Sequence, residues 1–333
     1  MVYIIFGLAA IITVLAAIEL SNNADILSGK TPLGGLLVGT LLLGGATSLP
    51  EVTTSLTSVL ISNPDIAVGN MLGSNMFNIF IIACFDIFYR NMRLYQRASN
   101  GHLYTAGLGL LLSIITLAAL IRKLDFMILG VGVDTLLIAC VYGIGMFVIS
   151  GLSKDSIDNQ LSGNDFQRDV IHENLHSTSI RRAVLNFSIA ALAILGAGTL
   201  LSITGDTLAE ITGLGSTFVG SFLMAATTSL PEAVAVLIAL RLRNINLAIG
   251  SILGSNIFNM LILVGSDIVY QNGSILANVS PLHEITAFTV SMLSVLIIIS
   301  LLRKKNTTSL SYLIPSLLII VGYFVVTYLI FNS

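Results

Sequence analysis

Two carboxylates stand out because each lies in an apolar segment directly after a proline. The sequence Gly-Ala-Thr-Ser-Leu-Pro-Glu at 45–51 returns as Ala-Thr-Thr-Ser-Leu-Pro-Glu at 226–232. A charged side chain inside a bilayer is energetically costly, and such residues mark ion pathways and binding sites. Glu51 and Glu232 are therefore predicted to bind a cation rather than to serve the fold alone.

The residues that precede each glutamate offer further oxygen ligands. Pro50 and Pro231 have no backbone N–H, and each ring clashes with the carbonyl four residues earlier, so we expect a broken helix with released carbonyls at Ala46 and Thr227. The turn before each glutamate also carries two hydroxyl side chains, which are Thr47, Ser48, Thr228 and Ser229. Every ligand offered by this motif is an oxygen.

A second repeated block follows each Pro-Glu motif. It reads Gly-Asn-Met-Leu-Gly-Ser-Asn-Met-Phe-Asn at 69–78 and Gly-Ser-Ile-Leu-Gly-Ser-Asn-Ile-Phe-Asn at 250–259. Its Gly-x-x-x-Gly spacing predicts close helix packing. In each block a serine and an asparagine four residues apart share one helix face, and these are Ser74 and Asn78, then Ser255 and Asn259. Carboxylate, amide and hydroxyl oxygens without His or Cys favour a hard cation such as Ca²⁺, Na⁺ or Mg²⁺ over zinc or copper.

Both motifs belong to one internal duplication. An offset of 181 aligns residues 31–51 with 212–232 without a gap and with 11 identities in 21 positions, and it also aligns the two Ser-Asn blocks. A constant offset over this length indicates a duplicated unit. Asp86 and Asp267 obey the same offset near predicted helix ends, where we expect them to cap a helix or to pair with basic groups.

The composition is that of a membrane protein. The chain is 55% hydrophobic and 10% charged, with a mean hydropathy of +0.95, which excludes an ordinary soluble domain and predicts an all-α polytopic membrane protein. The net charge of -2 indicates no nucleic-acid partner, and no obligatory protein partner is inferred beyond the lipid bilayer. Ten spans are predicted, at about 2–20, 33–61, 65–89, 103–121, 126–150, 183–203, 214–240, 245–270, 282–302 and 309–331.

The distribution of basic residues predicts the orientation. With the N-terminus outside, 13 of the Lys and Arg residues fall on the cytoplasmic side and two, Arg122 and Lys123, fall outside. Both termini are then extracellular in a multi-pass protein of the cell membrane. The predicted units are a first five-helix repeat at 1–150, a polar cytoplasmic linker at 151–182 and a second five-helix repeat at 183–333. An odd number of spans per repeat makes the two repeats inverted, as in many secondary transporters.

The doubled Thr-Ser-Leu-Pro-Glu and Gly-Ser-Asn-x-Phe-Asn blocks resemble the alpha repeats of the calcium/cation antiporter superfamily, in particular its sodium/calcium exchangers. The resemblance implies an antiporter, not an enzyme, that exchanges a divalent cation, Ca²⁺ foremost, for Na⁺ without a cofactor. It implies Glu51 and Glu232 as central ligands with Asn78 and Asn259 beside them. Further positions are implied for the hydroxyls of Thr47, Ser48, Ser74, Thr228, Ser229 and Ser255 and for the backbone oxygens of Gly44 and Ala225.

Antiport also follows from the charges. Two facing carboxylates in a pocket of low dielectric repel each other, so the site must hold cations, protons or water before it can face the other side of the membrane. Some members of the superfamily use protons or move other divalent ions, so an H⁺-coupled or a Mg²⁺- or Mn²⁺-selective exchanger remains an alternative. Some relatives place Asp where Asn78 or Asn259 stands, and the two Asn here weaken a potassium-coupled interpretation.

Two further interpretations belong to other functional classes. Kinked helices lined with carboxylates and amides also occur in cation channels. The segment His172-Glu173-Asn174-Leu175-His176 matches the His-Glu-x-x-His pattern of zinc metalloproteases, in which two histidines bind zinc and the glutamate activates water. It lies in the polar linker outside the repeats and has no obvious third ligand, so a chance match is the preferred interpretation over a membrane metalloprotease using His172, Glu173 and His176.

Overall fold

The computed structural model describes residues 1–30, 47–160, 179–303 and 309–332. Within these ranges, nine helices are long and apolar enough to cross a membrane. The predicted second span, 33–61, lies largely outside the described residues, and its described end forms the helix Leu49–Leu60. The chain is therefore an all-α polytopic membrane protein, as the composition predicts.

The helices follow the chain with short connections. The α-helices are Val2–Lys30, Leu49–Leu60, Pro64–Phe88, Leu94–Arg97, Gly101–Arg122, Val133–Gln160, Ile180–Thr212, Ser216–Phe218, Ala225–Thr228, Leu230–Arg241, Ile245–Val269, Leu282–Leu302 and Ser309–Phe331. Val219–Met224 is a π-helix and Ile275–Ala277 a 3₁₀-helix. We call Leu49–Leu60 and Leu230–Arg241 the first and second Pro-Glu helices, and Pro64–Phe88 and Ile245–Val269 the first and second Asn helices.

One predicted span begins later than the sequence suggested. The fifth span was expected to start at residue 126, but Met127–Ile128 and Val131–Gly132 pair as two antiparallel strands and the helix starts at Val133. The two residues between the strands have positive φ angles, 54° at Leu129 and 82° at Gly130, as a type I′ hairpin turn requires. Because the turn is almost wholly apolar, composition alone could not separate it from the helix.

The duplication in the sequence is a duplication in the structure. Under the offset of 181, the first Pro-Glu and Asn helices coincide residue for residue with the second ones. The connections correspond as well, since Ser62 and Arg243 both have positive φ angles of 63° and 58°. Asn63 and Asn244 each cap the following Asn helix through a side-chain oxygen that accepts a backbone N–H.

The two Asn helices meet at a pair of asparagines that are themselves related by the offset. Asn75 Nδ2 donates to the backbone oxygen of Asn256 at 3.1 Å, and Asn256 Nδ2 donates to the backbone oxygen of Asn75 at 3.3 Å. An exchange of the same bond between equivalent residues is the signature of a two-fold relation. A pseudo-two-fold axis therefore passes between the Asn helices, and the fold consists of two inverted repeats.

Asp86 and Asp267 occupy equivalent positions at the ends of the Asn helices, and the sequence-based interpretation of them was incomplete. Both are fully buried. Asp86 accepts a hydrogen bond from Ser316 Oγ at 2.7 Å, and Asp267 accepts one from Thr135 Oγ1 at 2.5 Å, which is the equivalent residue under the offset. Asp267 also accepts the backbone N–H of Ile275 at 2.7 Å. Each carboxylate thus holds a neighbouring helix through a hydroxyl group.

A second pair of equivalent contacts lies at the other ends of the Asn helices. Asp65 Oδ1 accepts the backbone N–H of Ser280 at 2.7 Å and lies 2.9 Å from Nε2 of His283, which is fully buried. We call these three residues the Asp65 cluster. The contact ties the start of the first Asn helix to the start of helix Leu282–Leu302.

The equivalent contact in the other repeat is neutral. Asn246 Oδ1 accepts the backbone N–H of Ser99 at 2.8 Å and lies 3.3 Å from Nε2 of His102. These residues, the Asn246 cluster, correspond one by one to the Asp65 cluster under the offset of 181. The only change of residue type is Asp to Asn, so the two ends of the molecule share a geometry but differ in charge.

The Asn helices form the centre of the bundle. In each, 67% of the best apolar window is buried, whereas only 11% is buried in the span Val133–Ser150. The central helices are therefore shielded from lipid by the others, and their polar residues face protein. This position makes the Asn helices the scaffold for whatever lies at the pseudo-two-fold axis.

Candidate functional site

Each Pro-Glu helix starts with a sharp local turn. Ser48 and Ser229 adopt nearly the same conformation, with φ of -90° at both and ψ of 7° and 4°. The prolines then lie in the first turn of the new helix, where a missing N–H leaves no intrahelical bond unmade. In the second repeat the preceding helix ends at Thr228, so the predicted break is observed there.

A π-helix leads into the second motif. Val219–Met224 packs on the first Asn helix, whose Gly69 and Gly73 allow its backbone to approach. A Cβ atom at Gly73 would lie 2.2 Å from the carbonyl oxygen of Ser221, which no side chain could tolerate. The predicted close packing of the Gly-x-x-x-Gly spacing is therefore present in this block. Single turns of π-helix are frequent at functional sites.

The two predicted carboxylates are buried together at the break. Glu51 and Glu232 are each 1% exposed and interact electrostatically. Glu51 Oε1 accepts a hydrogen bond from Ser229 Oγ at 3.2 Å, a contact between the two repeats. Glu51 Oε2 and both carboxylate oxygens of Glu232 find no hydrogen-bond partner among the described residues. Buried charges in this state need compensation by a bound cation, by protons or by water.

Amide oxygens of both Asn helices are available at the same level. Asn78 Nδ2 donates to Asn256 Oδ1 at 3.0 Å, and Asn259 Nδ2 donates to Asn75 Oδ1 at 2.9 Å. Because each amide nitrogen is committed to the opposite repeat, each Oδ1 atom of Asn78 and Asn259 points elsewhere, and neither has a partner within the described part of the chain. Such oxygens are suitable ligands for a hard cation.

The hydroxyl and backbone ligands that the sequence suggested fall into three groups. Ser48 and Ser74 are fully buried, and their Oγ atoms have no partner among the described residues. Thr47 and Ser255 are buried, 4% and 6% exposed. The remaining positions are Thr228, whose Oγ1 donates to Asn70, Ala225, whose carbonyl accepts the N–H of Ser229 at 3.1 Å, and Gly44, which lies outside the described residues together with Ala46.

Three asparagines with a structural part in the site were not singled out from the sequence. Asn75 and Asn256 orient the amides of Asn78 and Asn259, and their presence in a block that repeats under the offset was the signal available. Asn70 binds Thr228 across the repeats. Nothing in the pattern indicated this role, because the equivalent residue of Asn70 is Ser251.

The described residues contain no group of three or more His, Cys, Asp or Glu side chains that could hold a metal ion. The two glutamates must therefore be completed by neutral oxygens, as the ligand inventory of the sequence anticipated. The His-Glu-x-x-His segment at 172–176 lies outside the described residues.

Comparisons with known proteins place the fold and the motifs in a wider context. A family model described as sodium/calcium exchanger protein matches residues 1–150 and 182–332. The inner membrane protein YrbG of Escherichia coli strain K12 is 27% identical over 302 residues, which cover 89% of this chain and 87% of that protein. The putative antiporter CaxA of Alkalimonas amylolytica is 26% identical over 337 residues, which cover 100% of this chain and 98% of the relative.

Solved structures share the fold at low sequence identity. A structure described as the H⁺/Ca²⁺ exchanger CAX aligns with a TM-score of 0.66 and 14% identity, over 99% of this chain and 90% of the other. A structure described as the sodium-calcium exchanger NCX_Mj, soaked with Na⁺ and Sr²⁺, aligns with a TM-score of 0.57 and 18% identity, over 98% of both chains. At this level of identity the likeness establishes the arrangement of helices and leaves the ions open.

Proposed function

Because the chain belongs to the sodium/calcium exchanger protein family, we propose that it exchanges Ca²⁺ for Na⁺ around a site built by Glu51 and Glu232. The family and the fold establish the coarser statement, that the chain is a multi-pass membrane antiporter of inorganic cations and not an enzyme. The ions and the ligands are the proposal. Alternating access of the site to the two sides of the membrane then carries the exchange.

The observation that supports this site is the set of unpartnered oxygens. Three carboxylate oxygens, two amide oxygens and the hydroxyls of Ser48 and Ser74 are buried, come from both repeats and find no hydrogen-bond partner among the described residues. Ca²⁺ takes six to eight oxygen ligands with flexible geometry. A buried shell of carboxylate, amide and hydroxyl oxygens satisfies that requirement better than it satisfies a transition metal.

The charge of the site explains why exchange is obligatory. One Ca²⁺ neutralises two carboxylates, and several monovalent cations do the same, but the empty site would leave two uncompensated charges in a medium of low dielectric. The helices therefore repack around a loaded site and not around an empty one. Each half of the transport cycle moves a different ion in the opposite direction.

The neutral ligands favour sodium as the driving ion. The solved structures of similar fold are described as an H⁺/Ca²⁺ exchanger and a sodium-calcium exchanger, so both ions occur among proteins of this architecture. A proton requires only a carboxylate, whereas Ser48 Oγ, Ser74 Oγ and Asn78 Oδ1 are oxygens that coordinate Na⁺ but do not titrate in the physiological range. A proton-coupled or a Mg²⁺- or Mn²⁺-selective exchanger is the second candidate.

The test is transport by the purified protein in liposomes. Uptake of Ca²⁺, Mg²⁺ and Mn²⁺ is measured against imposed Na⁺, K⁺ and H⁺ gradients. We expect Ca²⁺ uptake that requires Na⁺ on the opposite side and that is abolished in Glu51→Gln and in Glu232→Gln, because either change removes a charge from the site.

Three outcomes would contradict the proposal. Ca²⁺ uptake driven by H⁺ and indifferent to Na⁺ would identify the second candidate. Downhill current without any counter-ion would identify a channel. Wild-type flux in Glu51→Gln together with loss of activity in the double variant His172→Ala, His176→Ala would move the active site to the polar linker.

A further inference from the structure

Asn70 binds both Pro-Glu motifs with one side chain. It is fully buried on the first Asn helix, one turn before Ser74. Its Nδ2 donates to Thr54 Oγ1 at 2.7 Å and to Ser55 Oγ at 3.1 Å, both on the first Pro-Glu helix. Its Oδ1 accepts a hydrogen bond from Thr228 Oγ1 at 3.2 Å, just before the second Pro-Glu helix.

This arrangement breaks the symmetry of the repeats. The offset of 181 places Ser251 at the position of Asn70, and Ala235 and Val236 at the positions of Thr54 and Ser55. Alanine and valine have no hydroxyl to receive such a bond, so the second repeat cannot form the equivalent contact. The two halves of the cation site are therefore supported differently, although their ligands are nearly the same.

The hydrogen bond to Asn70 decides where the Thr228 proton points. Thr228 Oγ1 has two other acceptors within reach, the carbonyl oxygen of Ala225 at 3.4 Å and the carboxylate of Glu51. When the proton goes to Asn70, the lone pairs of Thr228 Oγ1 remain available to a cation beside Glu51. When it turns to Glu51, it occupies a carboxylate lone pair and presents a positive hydrogen to the cation position.

We propose that Asn70 is a positioning residue for cation binding, which acts by holding the hydroxyl of Thr228 with its oxygen lone pairs toward the site. This inference rests on the proposed function, in which Thr228 and Glu51 bind the transported ion. It adds a residue of the first repeat that controls a ligand of the second. Cation affinity then depends on a contact that only one half of the duplicated chain possesses.

A purely structural role for Asn70 makes a different prediction. Asn70 also fastens the first Pro-Glu helix through Thr54, whose backbone oxygen accepts a second bond from Ser202 Oγ at 2.7 Å. If that fastening were the whole role, a change at Asn70 would couple to a change at Thr54 and would lower the melting temperature or the turnover. A positioning role through Thr228 changes the apparent affinity for the ion.

The experiment is a pair of double-mutant cycles in reconstituted protein, scored by the KM for Ca²⁺ and by kcat. The first cycle combines Asn70→Ala with Thr228→Val, and the second combines Asn70→Ala with Thr54→Val. We expect Asn70→Ala and Thr228→Val each to raise KM about tenfold with kcat within about twofold, and the double variant to be no worse than either alone. Thr54→Val should leave KM near the wild-type value.

Two further variants keep the test decisive. Asn70→Ser places at position 70 the residue that the other repeat carries, so it tests the same loss if Asn70→Ala fails to fold. Ser251→Ala is the matched control and should leave KM unchanged. Multiplicative effects of Asn70→Ala and Thr228→Val on KM, or coupling to Thr54 alone, would overturn the inference. Loss of flux in Glu51→Gln alongside either result shows that the proposed function stands independently.

Discussion

Glu51 and Glu232 are equivalent in sequence but not in their surroundings. Glu51 accepts the hydroxyl of Ser229, whereas neither carboxylate oxygen of Glu232 has a partner in the described part of the chain. A hydrogen bond to a carboxylate contributes about 1.5–3 kcal/mol, so the two charges start from different degrees of compensation. Glu232 depends more strongly on the bound cation than Glu51 does.

This difference predicts unequal effects of two serine changes. Ser229→Ala removes the only hydroxyl shown to donate across the repeats to a carboxylate, so we expect the KM for Ca²⁺ to rise by about tenfold. Ser48→Ala is the matched change in the other repeat, and because its hydroxyl donates to no described partner, its effect on KM should be smaller. Equal effects of the two changes on KM would show that the contact seen at Glu51 has no energetic weight.

At the scale of helices, the equivalent contacts at the two ends of the Asn helices differ in charge. The Asp65 cluster joins a carboxylate to the buried His283, while the Asn246 cluster joins a neutral amide to His102 at a longer distance. A charge-assisted hydrogen bond is stronger than a neutral one. The two ends of the bundle are therefore held with unequal strength by homologous residues.

Removal of each histidine tests this inequality. We expect His283→Ala to lower the free energy of unfolding by about 2–3 kcal/mol, because it leaves a buried cavity and a carboxylate without its partner. His102→Ala should cost less than about 1 kcal/mol, because it loses one weak neutral contact. Thermal unfolding of both variants in the same detergent measures the difference, and a larger loss for His102→Ala would contradict the assignment.

The contact between the π-helix and the first Asn helix makes a steric prediction. Gly73→Ala would place its Cβ atom 2.2 Å from the backbone oxygen of Ser221, so one of the two helices must move. Overpacking of this kind costs typically about 1–3 kcal/mol, and here the displaced backbone leads into the Glu232 motif.

We expect lower thermal stability and slower Ca²⁺ flux in Gly73→Ala. Gly109→Ala is the control, because its Cβ atom would meet only a side-chain carbon of Ile257 at 3.8 Å. A Gly73→Ala variant with wild-type stability and wild-type flux would show that the close approach is not required.

For the molecule as a whole, the orientation predicted from basic residues remains to be measured. We propose that repeats 1–150 and 183–333 are joined by a cytoplasmic linker at 151–182 and that both termini are outside. In a background without Cys84 and Cys140, Asn332→Cys should react with a membrane-impermeant thiol reagent added to intact cells. Arg243→Cys should react only after the membrane is opened. Labelling of Arg243→Cys in intact cells would reverse the orientation.

The architecture was predictable because it rests on patterns that are local or repeated. Leu282–Leu302 and Ser309–Phe331 coincide with the predicted spans, since long apolar stretches can satisfy their backbone groups only as helices. The ligand pattern was visible because it occurs twice. The hairpin before Val133 and the contact of Asn70 with Thr228 were not predictable, because the first has the composition of a span and the second joins residues 158 positions apart that break the repeat.

The reciprocal bonds between Asn75 and Asn256 have a mechanical consequence. In an inverted-repeat transporter, the state that faces the other side is approximated when each repeat adopts the conformation of its mate. A contact that lies on the pseudo-two-fold axis is unchanged by that swap, so these two bonds can persist while everything around them rearranges. The asparagine pair is thus a natural fulcrum, and the bundle can rock about it without opening its own centre.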